Sequence, residues 1–281
     1  MMSQLLYRGG TKRLRENDTA PHMDDNDTAP HMDDNDTAPH MDDKGTVDDA
    51  ARNVAWVGDR LYETCKRYAK IVFLGNSVIL FCQYMRMRFD DEMASKIFCV
   101  PVSDINSLFR DDVDEKQRGE WIQEYGTKVI KNMMGMESLN NVVFVDMTVS
   151  GLSIKNTARV FQTVLNDHRP VDFVNIVKLE DAGAGAQNAY GNYVREILRL
   201  KVPFVKWTQY DIWEQFEGSK GLDHVPNFDI HRSIRKFPPQ EWGKIDEQKL
   251  EQFERHDDLS AKIVQRALEI SQDAQKEKRR R

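Results

Sequence analysis

The sequence predicts an α/β fold, a mostly parallel open sheet with flanking helices, behind a disordered acidic N-terminal arm. Two patterns predict the domain: short β-branched and aromatic runs that read as buried strands, and helix-period apolar stripes in the long stretches between them. A third predicts the arm, a repetitive and aspartate-rich stretch with almost nothing to bury.

The arm comes first. The nonapeptide Asn-Asp-Thr-Ala-Pro-His-Met-Asp-Asp recurs unchanged from Asn17, Asn26 and Asn35. With one proline per repeat and no aromatic or branched aliphatic side chain, it cannot bury enough surface to offset chain entropy, so residues 1–46 are expected to be disordered. His22, His31 and His40 recur beside acids, which would suit weak metal binding or multivalent docking. The alternative is a duplicated, solvated spacer, because no close histidine pair or cysteine supplies a zinc-ligand spacing.

Order is expected from Val47. Val47, Ala50, Val54, Val57, Leu61, Cys65 and Tyr68 step by three and four, the stripe of an amphipathic helix. Apolar runs then recur at residues 71–74, 97–102, 142–145, 173–177 and 202–205. The spacings are long enough for crossover helices, which parallel strands require. Ile154, Ala158, Phe161 and Leu165 mark the helix after the third run, and Trp121, Tyr125, Val129 and Met133 a helix before it. Residues 189–200 read as a helix ahead of the fifth run. The α/β domain is set at residues 47–235, and residues 236–281 are read as a C-terminal helical extension, striped by Leu250, Phe253, Ile263, Ala267 and Ile270, with a basic tail.

Composition narrows the classes of function. The net charge is −6, yet from Glu16 to Asp49 there are twelve acids against one base, residues 1–15 carry +4, and the rest is close to neutral. A strongly basic nucleic-acid face is therefore not expected, although the Lys276 to Arg281 end is locally basic and reads either as a nuclear-import signal or as a solvated helix end. No apolar run approaches the roughly 18 residues of a membrane span, and the start shows no signal-peptide apolar stretch, so a cytoplasmic or nuclear protein is expected. Cys65, Cys82 and Cys99 lack CxxC spacing and sit in apolar contexts, the setting of buried reduced thiols.

Ligands of an open parallel sheet bind beyond the C-terminal ends of its strands, so the residues after each run carry the functional expectation. After the third run stand Asp146, Thr148, Ser150, Gly151, Leu152 and Ser153, then an amphipathic helix. Such a turn can aim backbone N–H groups, hydroxyls and a helix N-terminus at a phosphate. The plainer reading is that Ser150 or Ser153 caps the helix and Gly151 relieves the backbone. Gly75, Asn76 and Ser77 form a second small polar turn, and residues 180–187 a glycine-alanine loop with two acids. No dinucleotide fingerprint, P-loop or serine-nucleophile elbow occurs. His224, Asp229 and His231 are not spaced for one helical face, and no resident metal site is expected.

The segment VVFVDMTVSGLSI resembles the phosphoribosyl-pyrophosphate loop of the type I phosphoribosyltransferase fold: four apolar residues, an acid, then a Ser-Gly-x-Ser turn. The resemblance spans residues 70–230 in outline and implies a phosphorylated ribose or nucleotide as ligand. It places Asp146 on the ribose hydroxyls, Thr148, Ser150, Gly151, Leu152 and Ser153 around the 5′-phosphate, and Gly75, Asn76 and Ser77 at the pyrophosphate with Mg2+. Where the family carries two adjacent acids this chain has Asp146-Met147, and its loop is one residue shorter. The competing reading is a catalytically inactive member of that fold, binding a protein through the acidic arm or the C-terminal helix. A third is a flavodoxin-like or other doubly wound domain, which strand order distinguishes.

Overall fold

The structure, a computed structural model, describes residues 47–102, 104–147, 151–178, 190–202, 238–246, 248–250 and 258–281. The repeat arm, the glycine-alanine loop and the segment from His224 to His231 lie outside the described residues.

Five strands form one parallel sheet: β1 (Lys70–Leu74), β2 (Ile97–Val100), β3 (Val142–Met147), β4 (Val171–Lys178) and β5 (Val194–Val202). Their spatial order is β2-β1-β3-β4-β5, the order of the flavodoxin-like doubly wound sheets that the sequence offers as a third reading, and it does not select the phosphoribosyltransferase-like fold. Ile71, Val72, Phe73 and Leu74 are all buried, as are Val142 to Val145. Consecutive residues point to opposite faces, so burial of both parities requires a cover on each face.

The cover comes in two groups. The chain steps from β1 to β2 through α2 (Ile79–Arg88) and the short α3 (Asp91–Ala94), then back past β1 to β3 through α4 (Glu115–Tyr125) and a π-helical segment, Gly126–Met133. Right-handed crossovers taken in opposite directions place their helices on opposite faces. α1 (Val47–Cys65) and the C-terminal helix, α6 (Asp258–Arg280), pack with α2, while α5 (Leu152–Leu165) packs with α4 and the π segment.

On the first face polar groups seat the helices. The Tyr84 hydroxyl donates to Asp59 at 2.9 Å, and the Ser271 hydroxyl donates to Asp59 at 3.1 Å and accepts from Arg88 Nε at 3.1 Å. Ile263, Val264, Ala267 and Leu268 of α6 enter the core, so the apolar face of that helix is spent inside the domain. On the second face Trp242, fully buried in the short 3-10 helix Pro239–Lys244, lies 4.3 Å from the Tyr125 ring, and Phe161 meets Phe144 edge to face at 4.8 Å. All three cysteines are buried and form no disulfide, as the sequence suggests, and burial pushes the Cys65 thiol up to about 12.

One element differs in kind from expectation. Residues 194–202 form β5 and not a helix, and the fifth strand ends at Val202, where the fifth apolar run begins. The register explains the misreading: Phe173 pairs with Glu196 but Val174 with Leu198, so Ile197 is an extra residue in the strand. The bulge puts Arg195, Leu198 and Leu200 on one face and Val194, Glu196 and Arg199 on the other, which turns a period of two into a spacing that mimics a helix. β5 is also paired only with β4 among the described strands, so charged residues are tolerated along it.

Gly58 of α1 is where the first helical layer is most tightly packed. A Cβ there would stand 2.2 Å from Cδ1 of Tyr84, whose hydroxyl is already fixed on Asp59. Gly58→Ala should therefore destabilise the chain by about 1–3 kcal/mol through overpacking, despite the better helix propensity of alanine. Chemical denaturation of the two proteins checks this, and a neutral or stabilising substitution would contradict the packing.

Candidate functional site

The strand order reverses between β1 and β3, and this switch point is where a doubly wound sheet opens a crevice. Phe73 is paired with Val145, so the residues leaving the two strands emerge side by side.

β1 is followed by Gly75, whose φ of +74° a side chain would strain and whose added Cβ would come within 2.8 Å of the Val102 carbonyl oxygen. Glycine there lets the chain turn at once into the 3-10 helix Asn76–Val78, which places Ser77 across from β3. The Ser77 hydroxyl donates to Asp146 Oδ1 at 3.0 Å, and the backbone N–H of Met147 donates to the same oxygen at 2.7 Å. Burial pushes the Asp146 carboxyl up to about 7, and the two hydrogen bonds offset that only in part.

α5 begins beyond Asp146. Its N-cap is Gly151 at φ +72°, followed by Leu152 and then Ser153 in the first turn. The N-cap is thus neither Ser150 nor Ser153, the two serines that the plainer sequence reading offered, but Gly151, which that reading expected to relieve the backbone. The Ser153 hydroxyl oxygen accepts from Asn106 Nδ2 at 3.3 Å, and Asn106 Oδ1 accepts from Asn156 Nδ2 at 2.9 Å. Asn106 belongs to the 3-10 helix Ile105–Phe109 that follows β2, so the loop after β2 is pinned onto α5.

These elements enclose a cavity of about 210 Å³. Gly75, Ser77, Asp146 and Ser153, all singled out in the sequence, line it. Gly151 and Leu152 open α5 without lining it, and Asn76 contributes backbone to the turn. Thr148 and Ser150 lie outside the described residues. Sequence reasoning passed over Val102, Asp104 and Thr157, which also line the cavity. Asp104, at φ +48°, carries the same signal as Asp146, an acid just past a buried strand, and Thr157 lies one helical turn beyond Ser153.

The lining has a definite chemical character. Asp104 and Asp146 are its charged groups among the described residues, and Ser77, Ser153 and Thr157 add hydroxyls, of which Ser77 donates to Asp146 and Thr157 to the Ser153 carbonyl at 2.9 Å. Acids and hydroxyls on one small cavity suit a polyhydroxylated ligand, whose O–H groups donate to carboxylate oxygen. Comparison with known protein families, with curated proteins and with solved structures finds no match.

Asp146 gives the chain a pH signature. Its pKa rises on folding from an ordinary value of 3.8 to about 7. An acid that holds its proton more tightly when folded favours the fold while protonated, and this contribution is lost as pH rises from about 4 to about 7. Asp146→Asn stays neutral, so its melting temperature relative to wild type should climb by about 2–4 °C or more between pH 5 and pH 8. A constant difference across that range would show that Asp146 titrates as an ordinary exposed carboxylate.

Proposed function

We propose that the chain binds a phosphorylated ribose, free or as part of a nucleotide, at the C-terminal ends of β1 and β3. The observation that carries this reading is the convergence of an acid at a strand tip (Asp146), the Gly75-Ser77 turn and the glycine-started helix α5 on one cavity at the switch point. Asp146 then accepts from the ribose hydroxyls, and the phosphate lies toward the N-terminus of α5, where backbone N–H groups and the helix dipole favour an anion. This division of labour is the one that the phosphoribosyl-pyrophosphate loop resemblance implies for the same residues.

The cavity is smaller than the roughly 300–1,000 Å³ of pockets that hold drug-sized ligands, which favours the sugar phosphate as the group held by the described residues. Mg2+ prefers oxygen ligands and is commonly held by one or two carboxylates plus the phosphates of a substrate. Asp104 and Asp146 supply two carboxylates, and no cluster of three acids, histidines or cysteines suited to a metal occurs among the described residues. That set fits an ion brought in on a pyrophosphate. Any transferase step would then rest on charge stabilisation around the ligand, with Asp146 as the acid nearest the sugar.

The rival reading, an inactive member of such a fold used for protein docking, draws on the single acid at the tip of β3. One of its two proposed contact surfaces is largely committed elsewhere, because the apolar face of α6 is buried against the domain. Among the described residues no helix is long and apolar enough to cross a membrane.

Calorimetric titration with ribose 5-phosphate, and with phosphoribosyl pyrophosphate plus Mg2+, tests the proposal. Saturable binding by the wild-type chain is expected, weakened roughly tenfold or more by Asp146→Ala, the loss of a charge-assisted hydrogen bond. Absence of binding by folded wild type, or equal affinity in the variant, would reject the ribose site.

A further inference from the structure

A larger cavity, of about 700 Å³, lies at the opposite end of the sheet, where the strands begin. Arg67 and Tyr68 lead into β1, Asn140 and Asn141 into β3, Arg169 and Pro170 into β4, and Arg195 is the second residue of β5. The strand order therefore brings together three arginines far apart in sequence.

Two of them are held in place from behind. Arg169 forms a fork on Asp167, Nε to Oδ1 at 3.0 Å and an Nη2 contact with Oδ2 at 2.7 Å, and this arginine keeps the Asp167 carboxyl well below the usual carboxylate range. Arg195 donates through Nε to Asp172 Oδ1 at 2.7 Å, while the Tyr68 hydroxyl donates to Asp172 Oδ2 at 2.6 Å. Burial and the Asp172 carboxylate push the Tyr68 hydroxyl up to about 12, so it remains a donor. Both carboxylates are mostly buried, 11% and 13% exposed at the side chain, whereas their arginines are 54% and 68% exposed. Asp167 and Asp172 engage Nε and Nη2 of the two guanidinium groups, and both arginines line the cavity. Arg67 adds a third guanidinium, 5.6 Å from the Tyr68 ring centroid. Three cations against two shielded anions leave an excess positive charge, and the arginines that carry it have already lost much of the side-chain freedom that binding would cost.

We propose that this cleft is a second ligand site, for a small polyphosphate of up to nucleotide size, separate from the Asp146 cavity and independent of the ribose reading. Guanidinium groups donate bidentately to phosphate oxygens, several of them on one face match adjacent phosphates, and Pro170, Leu139 and Val142 give the cleft an apolar part. The volume falls within the range of small-molecule pockets.

The test is titration of the full chain with sodium tripolyphosphate. Saturable binding is expected, weakened roughly tenfold or more by Arg169→Gln and by Arg67→Gln, and unchanged by Lys116→Gln on exposed α4. Arg67→Gln breaks no ion pair among the described residues, and a denaturation curve of this variant beside its titration separates ligand binding from stability. No binding by wild type would leave the arginines as counter-charges to the C-terminal ends of α1 and α5 and overturn the proposal. Equal weakening by Lys116→Gln would show diffuse attraction and overturn it too. Loss in Asp146→Ala with the arginine variants unchanged would move the polyphosphate to the other end of the sheet and reject this cleft, whatever ribose 5-phosphate does.

Discussion

The pairing of β1 with β3 is the constraint on which the other features of this chain depend. These strands are separated by the whole β2 excursion, yet Lys70 to Phe73 lie in register with Val142 to Val145. That pairing reverses the winding of the sheet, sends α2 and α4 to opposite faces, and sets the turn after Leu74 against the tip of β3. The Ser77 to Asp146 hydrogen bond is its local consequence. A register shift of one residue would turn the β3 side chains to the wrong faces and move Asp146 away from Ser77 together.

The cost of that arrangement falls on Asp146. Its carboxyl is drawn toward neutrality by burial, and both donors described for it converge on one oxygen, so the carboxylate is incompletely solvated by the protein. A leucine or valine at a strand tip would suit the core better. A polar group held at such a cost beside a cavity is what a binding site requires, since a ligand hydroxyl can supply the missing solvation. The N-terminal end of the sheet differs in this respect: its carboxylates, Asp167 and Asp172, are paired with arginine, and its exposed groups are cationic. The two ends thus present chemically distinct surfaces, acids and hydroxyls at one and guanidinium groups at the other.

Most of the fold was legible in the sequence because β1, β2 and β3 carry unbroken apolar runs and β4 carries one broken only by Asn175. β5 was not, since an edge position admits charges and the extra residue at Ile197 disguises its alternation. At the site, the rule that ligands sit beyond strand ends led to Gly75, Ser77, Asp146 and Ser153, which the cavity brings together. Asp104 was missed because the residues after β2 lack the glycine that drew attention to the other turns, and Thr157 because its role depends on the helix phase set at Gly151. The arginine cleft could not be read at all. Arg67, Arg169 and Arg195 share no motif, and only the spatial order of β1, β3, β4 and β5 makes them neighbours.

The claim that the β1 and β3 tips meet to form one site is tested most directly by a double-mutant cycle on Ser77 and Asp146. Unfolding free energies of wild type, Ser77→Ala, Asp146→Ala and the double variant, measured at pH 8 where Asp146 is ionised, should show a coupling of about 0.5–3 kcal/mol, as expected for residues in contact. Additive effects within about 0.5 kcal/mol would mean that the two side chains do not interact, and the site at the switch point would lose its foundation.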